Sequence, residues 1–291
     1  IYADQVQNVR EFGSLDQPQL TGELYAMDAD GGKLEMLVGW RVDDGGLGTT
    51  IKPKKGNNDI AAFLIDAPPT DTRSVLVSTM PYTYGPRDVF TTVERMDLFS
   101  GRLARVASVP VRNASFFLDN KGAVRFAVGR NADNIRRLYY RAADHADWDL
   151  LTIEKEGRFE VPVGFSADDT IAYLQGEQER GPDAIVALDL ATRTRKQVLR
   201  DDTVDPSRIL YRNGTQVPVG AYFHDGRPRS EFFQPDAPEA RLQKSLESAF
   251  PGESVVITSQ TRDGSVALVE VASARNPGDF YLVDNTTIPP K

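Results

Sequence analysis

Six times along this chain a hydrophobic run closes on an aspartate, or on a polar stand-in, and breaks into a turn. The anchors are Asp28 in LYAMDADGG, Asp97 in ERMDLFSG, Arg141 in RLYYRAAD, Asp189 in VALDLAT, Gln234 in EFFQPDA and Asp284 in FYLVDNTT. Successive anchors lie 69, 44, 48, 45 and 50 residues apart. A unit of that size cannot bury both of its faces by itself, so its copies must stack on one another, as the blades of a propeller do. The long first interval contains 39–59, GWRVDDGGLGTTIKPKKGNND, which is Gly-rich and polar and has no strand pattern. Taking out about 20 residues of such loop restores the period.

The fullest copy runs from Val163 to Leu199. An apolar lead-in ends at Phe165, Ser166 to Thr170 form a polar turn, Ile171 to Leu174 return, and Ile185 to Leu188 close on Asp189. β-Branched and aromatic residues fill the runs, and Asp, Gly, Pro and Thr fill the breaks, which is the pattern of an antiparallel meander. In the earlier copies the spacing predicts a hairpin of Thr21–Asp28 with Lys33–Val38. It then predicts strands at 61–65, 75–78, 88–97 and 103–109, and at 114–117, 123–128, 136–141 and 148–152. In the later copies it predicts strands at 217–222, 229–233 and 266–271. The fold class is therefore all-β: a propeller of four-stranded antiparallel blades, about six visible and seven in the intact protein. Residues 1–291 form one domain whose first blade is incomplete, because IYADQV reads as the end of a strand whose partners precede Ile1. Pro289-Pro290 reads as a stiff, extended exit.

One segment departs from the strand pattern. In DAPEARLQKSLESAFPG, Asp236 is placed as the N-cap with Glu239 three residues on and Pro238 in the first turn. Leu242, Leu246, Ala249 and Phe250 line one face, and Pro251-Gly252 stop the helix, giving a short amphipathic helix near 237–250 that packs against the sheets.

Composition narrows the function classes. The chain of 291 residues is 40% hydrophobic and 26% charged, enough for a sizeable core without a second domain. Its net charge of −8 argues against a nucleic-acid partner, which needs a basic face. No apolar stretch reaches the ~18–20 residues of a membrane span. With no cysteine there is neither a disulfide nor a thiolate metal site.

Candidate sites are few. Asp28-x-Asp30-Gly31 opens like a calcium loop, but Gly39 stands where the bidentate Glu belongs, so the segment reads as a hairpin turn. The two histidines, His145 in AADHADWD and His224 in YFHDGRP, read as surface or loop residues. Asp225 follows His224 directly, and neighbours in a strand face opposite ways. Arg130 to Arg141 reads as a charged strand face, and Trp40 and Trp148 as core or rim packing. No catalytic, cofactor-binding or metal-ligating residue is assigned, and no cofactor is expected.

The residues also carry a resemblance. Phe165-Ser166-Ala167-Asp168-Asp169-Thr170 followed by IAYL resembles the F-S-P-D-G-K repeat of TolB-like propellers, with Ala167 for Pro and Asp169 for Gly. Three further features extend it: the early LYAMDADGG, the helix before PGESVVITSQTRDGSVALVEVAS, and the late NPGDFYLVDNTT. With them the whole chain resembles the N-terminal propeller of bacterial prolyl oligopeptidase family serine peptidases, the acylaminoacyl-peptidase and dipeptidyl-aminopeptidase-like branch. That resemblance implies a C-terminal α/β-hydrolase domain bearing a Ser, Asp, His triad, with the propeller restricting access to short peptides. A triad serine needs a G-x-S-x-G elbow. Gly164-Phe165-Ser166-Ala167-Asp168 and Gly252-Glu253-Ser254-Val255-Val256 both lack the second glycine, so the triad is expected beyond Lys291.

Glu177 and Glu179, in GEQERGPD, do not match the paired glutamates that hold a substrate amino terminus in some dipeptidyl peptidases, and they read as a solvated loop. The expected partners are the hydrolase domain of the same polypeptide and short peptide substrates. The expected compartment is the bacterial periplasm or the exterior in preference to the cytoplasm. The alternative is a free-standing TolB-like propeller that binds a protein or ligand.

Overall fold

The computed structural model describes residues 22–39, 60–66, 71–81 and 89–287. The strand end at IYADQV, Trp40, nearly all of the Gly-rich loop and the Pro289-Pro290 exit lie outside the described residues. The chain divides into two compact units, residues 1–153 and 154–291.

In the first unit, β1 (Leu24–Ala26) and β2 (Glu35–Val38) form an antiparallel hairpin. A four-stranded meander follows, made of β3 (Ile60–Asp66), β4 (Ser74–Pro81), β5 (Thr92–Asp97) and β6 (Leu103–Ser108), hydrogen-bonded in that order. A second is built from β7 (Ser115–Leu118), β8 (Val124–Arg130), β9 (Arg136–Tyr140) and β10 (Asp149–Ile153). Strand β4 shows why these sheets stack. Val75, Leu76 and Val77 are all buried although consecutive residues point to opposite faces. Val75 and Val77 pack with Leu24, Leu37, Val38, Ala62 and Met96 on the hairpin side. Leu76 packs with Val93, Ala107, Phe116, Val124 and Ala127 on the side of the next sheet. A strand apolar on both faces is stable only with a layer on each, and each fully buried Val or Leu contributes about 1.5–3 kcal/mol.

The second unit repeats the design. Strands β11 (Glu160–Phe165), β12 (Ile171–Gly176), β13 (Ala184–Asp189) and β14 (Arg195–Arg200) form a four-stranded sheet. It packs on a three-stranded sheet of β15 (Pro206–Tyr211), β16 (Pro218–Asp225) and β17 (Arg227–Phe232) through Ile185, Leu199, Ala221 and Phe223. Helix α1 (Pro238–Ala249) comes next, and then the three-stranded sheet β18 (Ser254–Gln260), β19 (Val266–Ala272) and β20 (Asp279–Asp284).

Strand number varies from sheet to sheet among the described residues. Three sheets have four strands and the last two have three among the described residues, and after β17 the chain enters α1, where earlier units place a fourth strand. Strand β15 was not foreseen, because PSRILY begins with proline and places Ser207 and Arg208 in solvent.

The helix starts one residue later than its capping pattern suggests. Ala237 is the N-cap, with φ −63° and ψ 151°, and no side chain caps it. Proline disfavours a helical conformation in the residue before it, so Pro238 fixes the boundary and leaves Asp236 outside. The inward face is Ala240, Gln243 and Leu246, with Leu242 and Phe250 half-buried, whereas Ala249 is exposed. Leu246 packs on Val255, Ala267, Val269, Val271 and Val283, so the helix covers the last sheet.

The turns share a small vocabulary. At Ser166–Ile171 the Ser166 hydroxyl donates to Asp168 Oδ1 (2.6 Å) and accepts from the Ile171 amide (3.0 Å). At Thr261–Val266 the Thr261 hydroxyl donates to Asp263 Oδ1 (2.7 Å) and accepts from the Val266 amide (3.0 Å). The fourth residue of each turn is left-handed: Asp169 at φ 60° and Gly264 at φ 72°. Asp97 and Asp189 also match. Each Oδ1 accepts the amides two and three residues on, and the residue four on, Gly101 or Arg193, is left-handed. The anchors Arg141 and Gln234 do not follow this rule. The Arg141 amide donates to the Arg125 carbonyl, and Gln234 leads into the helix.

Candidate functional site

The serines of the two near-elbows are structural or extended. Ser166 is committed to its turn through both hydrogen bonds of its hydroxyl. Ser254 opens β18 opposite Ala272, in a strand and not in a strand-to-helix turn. His145 is exposed in the loop after β9, and His224 is exposed near the end of β16 opposite Pro228.

Glu179 is 82% exposed and lies 3.9 Å from Arg158, while Glu177 is half-buried with its amide bonded to the Phe159 carbonyl. The structure does not bring these two carboxylates to a common enclosed site. Asp28 pairs with Lys33 at 3.0 Å, and Asp30 Oδ1 accepts the Gly32 amide. Among the described residues no group of three His, Cys, Asp or Glu side chains is placed to hold a metal ion. No helix is long and apolar enough to cross a membrane.

The arginine-rich strand is not uniformly a surface face. Arg137 pairs with Asp133 at 2.6 Å at the surface, but Arg141 is buried. Its Nε donates to the Val124 carbonyl at 2.8 Å, its guanidinium lies 5.1 Å over the Trp148 ring, and burial lowers its pKa. Trp148 packs at the rim of the core, with its indole N–H on the Ser108 carbonyl at 2.7 Å.

The feature that sequence reasoning missed is a cavity of 690 Å³ within the second unit. Its walls are the β15–β17 sheet, the turn at 212–215, the start of α1, and the β18 end with the turn at 261–264. Ligand sites are typically ~300–1,000 Å³, mostly apolar, with a few convergent polar groups. Here the apolar lining includes Val219, Tyr222, Phe232, Leu242 and Ile257.

The charged lining consists of Arg208, Arg212 and Arg262 against Glu239 and Asp263. Arg212 Nε donates to Glu239 Oε1 at 3.2 Å, and the other oxygen, Oε2, is buried without a hydrogen-bond partner. Arg208 lies 5.9 Å over Tyr222, whose buried phenol has a raised pKa through desolvation. Asp263 Oδ1 takes Thr261 Oγ1 and the Ser265 amide and hydroxyl. Chiefly through the Thr261 hydroxyl, its pKa is lowered to about 2. Five separate segments supply these groups, so no local motif announces them.

No family model matches the chain, and no curated protein sequence is similar to it. Its fold does have solved relatives. At 14% identity and a TM-score of 0.54 it matches a structure from work on two prolyl endopeptidases, over 92% of this chain and 38% of that one. A puromycin hydrolase is matched at 15% identity and a TM-score of 0.56, over 93% and 41% of the two chains. A puromycin-hydrolysing peptidase of Mycobacterium tuberculosis is matched at 11% identity and the same TM-score, again over 93% and 41%. The chain thus spans about two fifths of the length of these structures. The likeness fixes the fold: the stacked meanders are blades of a β-propeller resembling the propeller regions of such peptidases.

Proposed function

We propose that residues 1–291 are the non-catalytic propeller of a serine peptidase, with an α/β-hydrolase domain following in the same polypeptide. In this reading the propeller admits short peptides and excludes folded proteins. Upstream chain completes the first blade, and a seventh blade is present in the intact protein. The observation that carries this reading is the likeness over nearly the whole chain to three peptidase structures of which it covers only two fifths. The remaining length in those proteins accommodates a further domain of ordinary size. The commitment of Ser166 to its turn, and the solvent exposure of both histidines, agree with chemistry carried elsewhere.

The test is the full-length polypeptide, treated with a fluorophosphonate and mapped by mass spectrometry, then assayed on a tetrapeptide anilide and on casein. A serine labelled beyond residue 291, with the anilide cleaved and intact casein spared, is the expected result. Stoichiometric labelling of a serine within 1–291 would overturn the division of labour, and casein degraded as readily as the tetrapeptide would overturn the gate.

A further inference from the structure

We propose that Asn213 is a site of spontaneous covalent modification, at which attack by the Gly214 backbone nitrogen replaces the side-chain amide with a carboxylate and unfastens the last two sheets of the second unit. This does not rest on the peptidase reading.

The sequence supplies the reactants. Asn213 is the one asparagine in the chain that is followed by glycine. With no Cβ, Gly214 leaves its nitrogen unobstructed and tolerates the backbone rotation that brings it to the preceding side chain. The deprotonated Gly214 nitrogen bonds to Asn213 Cγ, the Cγ–Nδ2 bond breaks, and the amide nitrogen leaves as ammonia with a proton taken from water. Water then opens the resulting cyclic imide at either carbonyl. The product is an aspartate, or an isoaspartate whose main chain runs through Cβ and Cγ. In sum one water is consumed and one ammonia is released, with no oxidant and no cofactor.

The structure supplies a lock. Asn213 and Gly214 are the central pair of the β15–β16 turn, which is closed by the Thr215 amide on the Arg212 carbonyl at 3.0 Å, with Gly214 exposed and at φ 67°. The Asn213 amide reaches across to the β18–β19 turn, donating to the Thr261 carbonyl at 2.7 Å and to the Arg262 carbonyl at 3.3 Å. The two turns are close-packed there. A Cβ on Gly264 would lie 3.2 Å from Asn213 Nδ2, and one on Gly214 would lie 3.2 Å from the Arg262 carbonyl oxygen. While both bonds hold, the amide is kept on the neighbouring turn, so conversion waits for a local opening of this joint.

Conversion makes the opening permanent. The product oxygens are acceptors set against two carbonyl acceptors, so both hydrogen bonds are lost, and isoaspartate also lengthens the turn. Both turns are walls of the 690 Å³ cavity, whose rim therefore loosens as the molecule ages.

The experiment is peptide mapping by mass spectrometry of the 291-residue chain held in mildly alkaline buffer. Asn213 should convert ahead of Asn113, Asn120, Asn131 and Asn134. The rate should rise about fivefold or more in Gly264→Ala, whose added methyl presses on the joint. Urea below the unfolding transition should also raise the rate in the unaltered chain, which keeps the lock testable if that variant fails to fold. Asn213→Asp, which supplies the product genetically, should melt about 2–4 °C below the parent. Conversion of the other asparagines while Asn213 stays intact would overturn the proposal. So would a rate at Asn213 that is the same in the native, urea-treated and fully unfolded chain, since no lock would then exist. An Asn213→Asp chain that melts with the parent would show that the amide fastens nothing, and the assignment fails.

Discussion

Replacing Leu246 with alanine tests the idea that α1 covers the last sheet as a packed element. The side chain is 4% exposed and sits among Val255, Ala267, Val269, Val271 and Val283. Trimming it removes three carbons, worth about 2.4 kcal/mol of transfer free energy at ~0.8 kcal/mol per group. Four of its five neighbours are β-branched valines, whose limited rotamers leave little means of closing the gap. A cavity contribution raises the expected total to about 3–4 kcal/mol. Ala249 is exposed, so Ala249→Ser on the same helix should stay within about 0.5 kcal/mol. Both tryptophans, Trp40 and Trp148, lie in the first unit, so fluorescence reports on the wrong half. The suitable assay is urea unfolding by far-UV circular dichroism, with hydrogen exchange resolved on β18–β20. A cost below about 1 kcal/mol for Leu246→Ala, or equal costs for the two substitutions, would refute the packing argument.

Two further outcomes follow from the turns. Asp169 holds at φ 60° the position that Gly264 holds at φ 72°, so Asp169→Gly should stabilise the chain by about 0.5–1 kcal/mol and Gly264→Ala should destabilise it by about 1 kcal/mol or more, both read by denaturant melts. Asp71, Asp97, Asp133 and Asp263 are held at about 2 against an ordinary 3.8, chiefly by the Ser74 hydroxyl, Arg73, Arg137 and the Thr261 hydroxyl respectively. A lowered folded pKa contributes stability that is complete above 3.8 and lost as pH falls through about 2, so the melting temperature should drop across that window and Asp263→Asn should blunt the drop.

The second, third and fourth units were legible because their strands are runs rich in β-branched and aromatic residues and their breaks carry Asp, Gly and Asn, residues with a local reason to turn. The recurrence of Asp97 and Asp189 reflected a real shared turn, whereas Arg141 entered the same pattern by position alone. It is a buried side chain stacked on Trp148, and nothing in RLYYRAAD distinguishes it from its exposed neighbours. The capping pattern at Asp236 misled because a proline two residues later set the boundary more firmly than a carboxylate could. The cavity was invisible because its arginines and its glutamate lie on segments up to 54 residues apart and meet only after two sheets and a helix have packed.

Within every sheet, the strands that pair are also neighbours along the chain among the described residues. This carries a consequence for biosynthesis. A ribosome adds ~5–20 residues per second, so one unit of about 45 residues takes seconds to emerge, while a hairpin closes in ~1–10 μs. Each sheet is therefore complete long before the next exists, and synthesis, not strand pairing, sets the pace of assembly. During that interval the newest sheet presents an uncovered apolar face: after β6 is made, the Leu76 side of β4 waits for β7 and β8. The nascent chain is most prone to aggregate just after a sheet closes and before its successor arrives, so pauses in translation at those boundaries should do the most harm.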